Sequence, residues 1–365
     1  MNFINPSQIL FMKSIPVFKG RLSEEGDGEL LKRCVEACRN IKNFNSYGIE
    51  IYTNESTLRV SIKKQFNEIS KVFSDDCKVI VFHPPVGWAG SGYASFEKEF
   101  RIKSIKTLDA CLTLSSKVNK NFSPEEFYFI LHPSRFVRGY PLEKLERIKE
   151  KMMERNRRFI TKFSKGAERS GIKLLIENMP CINDIGTYNL PNGALVGIGL
   201  DETEELADDS CKVMEDIPHF LINRVFHNII NQNLTRDLRR IGMEEKDLER
   251  ISEALMRFSP EAYMGLKLSE SSEFEDNWRC VLKRFKNFPY MHVADSTFGK
   301  GLKGRFVEVD GFRVREADHP KESSIFPWKR FRTPRMWALE VKDQYLKEYE
   351  PFRRYFRALE RFGCI

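Results

Sequence analysis

The stretch KVIVFH, residues 78–83, is a short run of apolar and β-branched residues that stops at a histidine. A strand buried on both faces loses polar alternation, so such a run, bounded by turn residues, predicts an interior strand of a parallel sheet. Working outward, seven more runs of this kind lie at 48–53, 127–132, 172–177, 211–216, 290–295 and 335–341, with an irregular one at 9–18. Stretches of helical period separate or follow them at 28–42, 55–73, 142–170, 278–286 and 342–361. Strands joined by crossover helices pair in parallel, and eight of them predict a closed α/β barrel of the (β/α)8 TIM type. The reading is one TIM-barrel domain over 1–365, with a helical insertion at 220–258 between strands six and seven.

Six of the runs end in a residue type that binds metals: KVIVFH at His83, FYFILH at His132, KLLIE at Glu177, KVMED at Asp216, YMH at His292 and MWALE at Glu340. In a parallel barrel all C-terminal strand ends share one face, so these six converge on one mouth. Singly, each has an ordinary role as a helix cap, ion-pair partner or hydrogen-bonded core residue. Jointly, six such groups in one mouth are costly without a compensating cation. His219 in DIPH and Asp295 in HVAD extend the set, and His319 in EADHP follows strand seven, whereas His227 in FHNII reads as an ordinary helical histidine. Imidazoles and carboxylates without thiolate point to Zn, with Mn or Fe as alternatives. The number of candidate ligands exceeds one ion's needs and points to two or three ions, an arrangement suited to phosphate-ester hydrolysis.

Composition sets the bounds. The chain has 365 residues, 41% hydrophobic and 12% aromatic, enough for a core without disulfides or structural metals. Its eight cysteines are scattered with no CxxC pair, so they read as reduced thiols. The N-terminal residues lack a signal-peptide pattern and no run is long enough to span a bilayer, so the chain reads as soluble and cytoplasmic with no membrane partner. No protein partner is inferable. The net charge of +8 permits an anionic partner without demanding one. The acidic stretch DETEELADD, 201–209, reads as a solvated loop, and the glycines of GWAGSG and GKGLKG match neither a P-loop nor a dinucleotide fingerprint.

Segments VFHPP, ILHPS, LIENM, EDIPH, HVADS and LEVKD occur in this order from His83 to Glu340. The ordered set resembles the endonuclease IV family of AP endonucleases, within the xylose isomerase-like TIM-barrel superfamily, whose segments end HAPY, LHPG, LLEN, DTCH, HLND and LET. The resemblance implies a metal-dependent endodeoxyribonuclease that cleaves DNA at abasic or damaged sites. It implies a first metal on His83, His132 and Glu177, with Glu177 bridging to a second on Asp216, His292 and Glu340. His219 would help hold a third. The family completes that third site with the Asp and His of a DRH motif; here His319 is the counterpart and Ala317 stands in place of the Asp, flanked by Glu316 and Asp318 as substitutes. Glu177 or Glu340 would orient the attacking water.

DNA also requires basic and aromatic groups around the mouth. Candidates are Trp88, Arg135, Arg138, Lys300, Lys303, Arg305, Lys329, Arg330 and Arg332, in four loops expected on the strand-end face. The competing reading is a sugar isomerase or epimerase of the same superfamily with one metal on Glu177, Asp216, His292 and Glu340. Such an enzyme needs neither His83 nor His132 as a ligand. A third reading is a catalytically inactive nucleic-acid-binding barrel.

Overall fold

Parallel pairing runs once around the molecule in chain order: β1 (Ile15–Arg21), β2 (Tyr47–Tyr52), β3 (Cys77–His83), β4 (Glu126–Leu131), β5 (Lys173–Glu177), β6 (Cys211–Asp216), β7 (Tyr290–Val293) and β8 (Met336–Leu339), with β8 closing on β1. The α/β TIM barrel expected from the alternation is therefore present. The computed structural model describes residues 15–22, 28–29, 31–33, 36, 46–53, 55–56, 59–73, 76–134, 140–183, 192–269, 272–274, 277–302, 307–340 and 349–365.

Strand side chains alternate in direction, so every second residue faces the barrel interior. Those residues form an apolar cluster of their own, with Val17, Val81, Ile130, Leu175, Met214 and Tyr290 among its members. Strand β2 adds no side chain to it, because Gly48 stands between Val17 and Val79 in the register. A Cβ at Gly48 would lie 2.9 Å from Val17 Cγ2 and 2.9 Å from Val79 Cβ, so only glycine fits this level without a shift. Outside the barrel, long helices at Lys98–Phe122 and Leu145–Glu168 cross between β3 and β4 and between β4 and β5.

Several elements differ from their sequence-based bounds. The first strand runs to Arg21, beyond Phe18, because Lys19 interrupts the apolar pattern without ending the strand; residues 9–14 lie outside the described residues. The stretch 55–73 narrows to the helix Ile62–Ser70, and most of 28–42 lies outside the described residues. The acidic stretch is a helix, Leu200–Leu206, and not a solvated loop: Glu202 is buried, paired with Lys149, and accepts from Gly197 N at 2.9 Å. Strand seven stops at Val293. Asp295 begins a three-stranded antiparallel sheet (Asp295–Lys300, Val307–Val309, Phe312–Asp318) in what reads from sequence as a long loop.

Between β6 and β7 lie helices Ile217–Ile230, Arg236–Arg240, Glu245–Phe258, Pro260–Lys267 and Trp278–Phe285. All 14 residues of Ile217–Ile230 are buried. A helix buried all round needs cover on both sides, and this one lies between the barrel and the helices Glu245–Phe258 and Pro260–Lys267. Among the described residues no helix is long and apolar enough to cross a membrane.

Candidate metal centre

One step beyond the apolar interior, at the next inward-facing position, each of the eight strands carries a polar or charged residue at its C-terminal end. Val17 is followed by Lys19, Gly48 by Glu50, Val81 by His83, Ile130 by His132, Leu175 by Glu177, Met214 by Asp216, Tyr290 by His292 and Ala338 by Glu340. The six residues named from sequence are thus brought together, and strands one and two complete the ring. Sequence reasoning misses Glu50 because it lies inside its apolar run and not at its end, and Lys19 because it follows the irregular run 9–18 and is not a metal-ligand residue type. Their signal is a charge at an inward position of a buried strand, in VFKGR and GIEIY.

Among the described residues, three overlapping groups are each compact enough for one ion: His83, His132 and Glu177; Glu177, Asp216 and His292; and Asp216, His219, Glu316 and Glu340. In the first, His132 Nε2 is 3.1 Å and His83 Nε2 3.8 Å from Glu177 Oε2. His83 Nδ1 lies 2.8 Å from the Pro84 carbonyl, which only accepts, so Nδ1 carries the proton and Nε2 offers a lone pair. Burial, reinforced by the Lys19 ammonium and by His132, pushes His83 down to about 3, which keeps the ring neutral. A lone pair facing a carboxylate oxygen fits a cation between them. His132 Nδ1 is buried without a hydrogen-bond partner among the described residues.

In the second group His292 Nδ1 is 3.1 Å from Asp216 Oδ2 and 3.6 Å from Glu177 Oε1. Its other nitrogen, Nε2, is 2.8 Å from Glu50 Oε2, which also accepts from the Tyr290 hydroxyl at 2.5 Å. A carboxylate behind a histidine orients the ring and raises its basicity. Burial pulls His292 down, but Glu50 and Glu177 outweigh it and hold the ring well above the usual imidazole range. Burial likewise raises Glu50, yet His292 and Lys19 bring it to about 2. Glu177 is held well below the carboxylate range, because His132 and His292 offset its burial.

The third group differs from the one implied by the resemblance. His219 Nε2 is 3.0 Å from Glu316 Oε1, and Nδ1 is 2.9 Å from the Asn178 carbonyl. Glu316 is delivered by the three-stranded sheet, where the register shifts opposite Asp295 and Thr297 and Ala317 takes a left-handed φ of 51°. A bulge re-aims side chains, and this one turns Glu316 toward His219. Asp318 instead bonds Thr297 Oγ1 at 2.7 Å and Lys321, and His319 is 41% exposed with Nδ1 3.1 Å from Asp318 Oδ1. His319 and Asp318 are therefore not in the described groups, because the strand ends at 318 and the chain turns away. Glu340, expected beside Glu177 and His292, groups with His219 and Glu316.

Asp216 and Glu340 belong to the same group of candidate ligands. Burial and the Glu340 charge push Asp216 well above the carboxylate range, while Lys19 overcomes the burial of Glu340 and holds it well below. His219 is lowered by burial but raised more by Asp216 and Glu316, to about 10. Asp216 also caps the next helix, its Oδ1 accepting from His219 N at 2.8 Å. Asp295 serves the structure and not the centre, accepting from Ser324 Oγ at 2.7 Å, Ser296 N at 2.8 Å and Trp328 Nε1 at 3.0 Å.

The basic residues expected around the mouth are placed differently. Lys300 ends a strand and pairs with Asp247 at 2.7 Å, which fixes it on the helix Glu245–Phe258. Lys329, Arg330 and Arg332 are exposed but precede β8, so their segment descends toward the N-terminal end of the barrel. There the Arg335 carbonyl accepts from Ile15 N at 2.7 Å and its guanidinium is 3.8 Å from Glu126, at the start of β4. A parallel strand is entered from its N-terminal end, so the segment from Lys329 to Arg335 leads away from the strand-end face. Arg135, Arg138, Lys303, Arg305 and the Trp88 side chain lie outside the described residues.

No protein-family model matches the chain, and no curated protein matches it either. Among solved structures it is similar to D-psicose 3-epimerase crystallised in the presence of D-fructose, at 14% identity over 60% of this chain and 68% of that one, with a TM-score of 0.40. It is also similar to the apo form of the 3-keto-D-glucoside 4-epimerase YcjR from E. coli, at 11% identity over 95% and 99% of the two chains, with a TM-score of 0.44. These likenesses add nothing to what the strand topology already shows.

Proposed function

We propose that the chain is a divalent-metal-dependent phosphodiesterase of the endonuclease IV type, acting on DNA at abasic or damaged sites. The observation that carries this reading is the group of His83, His132 and Glu177 beside the group of Glu177, Asp216 and His292. One carboxylate common to two sites is the arrangement of a multi-metal centre, and the imidazole–carboxylate donor set suits zinc, with Mn or Fe as substitutes. Such ions supply a water activated near neutral pH and neutralise charge on the attacked phosphate. Around them, Glu177 and Glu340 would orient the attacking water, with Glu50 behind the ring of His292.

A sugar isomerase or epimerase is the second reading. It is favoured by the self-sufficiency of Glu177, Asp216 and His292 for one ion, and by the basic loop at Lys329–Arg332 leaving the mouth. It is also the activity named for the two solved structures, whose TM-scores are too low to weigh for it. Metal content by elemental analysis, paired with assays on abasic-site DNA and on a panel of ketoses, separates the two. The phosphodiesterase reading expects two or three equivalents, DNA cleavage, and its loss in His83→Ala. A single equivalent with epimerisation unaffected by His83→Ala establishes the second reading instead.

A further inference from the structure

We infer that Lys19 is a resident cation of the metal centre, occupying one oxygen of Glu340 in place of a divalent ion and thereby weakening the centre's hold on its last metal. This rests on the metal reading above. Lys19 lies opposite Glu50 in the β1–β2 register, with its ammonium 2.9 Å from Glu340 Oε1 and 3.7 Å from Glu50 Oε1. The side chain is only 11% exposed, so its charge is poorly screened. Its ammonium lies between these two carboxylates, one from β2 and one from the end of β8.

Glu340 is therefore divided. Oε1 serves the lysine, while Oε2 lies 4.0 Å from His292 Nδ1, on the side of the ligand groups. An ion held with Asp216, His219 and Glu316 would share this carboxylate with a fixed positive charge, and like charges at such separations repel strongly in a buried site. A lysine so placed neutralises the ring of carboxylates from strands two and eight without any metal. Ligand count alone then overstates how many ions bind tightly.

The test is calorimetric titration of the full chain with Zn2+ or Mn2+, with bound metal measured at saturation. Lys19→Met removes the charge, Lys19→Gln removes it but keeps hydrogen-bond donors for Glu340, and Lys19→Arg retains it. The expected result is that the last equivalent binds about tenfold tighter or more in Lys19→Met and Lys19→Gln, or that a further equivalent is taken up, with Lys19→Arg like the parent. Should Lys19→Met not fold, Lys19→Gln decides. Unchanged or weaker binding in folded Lys19→Gln overturns the inference and leaves Lys19 a scaffold for Glu340. Absence of divalent-ion binding in the parent chain overturns the metal reading and this inference with it.

Discussion

Glu50 shows how much one unremarked residue can carry. It is fully buried, and its partners are far away in sequence; its work is to hold His292 Nε2 at 2.8 Å so that Nδ1 faces Asp216 and Glu177. Removing a carboxylate behind a metal-binding histidine typically costs about 10–100-fold in metal affinity. Glu50→Gln keeps the shape and removes the charge, so metal titration is expected to show a loss of that size with the fold intact by circular dichroism. An unchanged affinity would mean that His292 is oriented by its packing alone. Neighbouring carboxylates raise both His219 and His292, and an imidazole must lose its proton to bind an ion, so affinity should rise with pH and binding should release protons.

Strands, more than helices, decide this site. Each places its mouth residue by the same rule of alternation, and β2 depends on a residue with no side chain at all. Gly48 sits where a Cβ would meet Val17 Cγ2 and Val79 Cβ at 2.9 Å and the Val79 carbonyl at 3.0 Å. Gly48→Ala must push β2 away from its neighbours, at about 1–3 kcal/mol of stability by the usual cost of overpacking. Because Glu50 is two residues further along the same strand, the variant should also weaken metal binding. Denaturant unfolding of Gly48→Ala and its metal titration check both halves. The bulge at Ala317 is the corresponding device in the outer sheet, without which Glu316 would not reach His219.

At the scale of the whole molecule, buried charges also tie the surrounding helices together. Glu273 accepts from Leu200 N at 2.6 Å and from Arg284 at 3.3 Å, with its side chain fully buried. Burial first, and then Asp201, raise it from 4.5 to about 8 against the pull of Leu200 N and Arg284. The folded chain thus holds a proton that the unfolded chain releases, so this contribution is present below 4.5 and is lost as pH rises through about 8. Glu273→Gln should remove it: the unfolding free energy of the parent, from denaturant titration, is expected to fall relative to the variant across that window, by up to about 1.4 kcal/mol per pH unit. Parallel curves would show that Glu273 is ionised when folded. The sequence by itself determined the eight-stranded barrel and six of its eight mouth residues, because an apolar run and the polar residue that ends it are neighbours in the chain. Only the tertiary structure decided the rest. Whether Lys19 and Glu50 face inward depends on barrel register, whether Glu316 or Asp318 meets His219 depends on a bulge, and which face Lys329 and Arg330 reach depends on where the chain must re-enter β8. Those are relations between segments far apart in sequence, set by packing, and no local pattern encodes them.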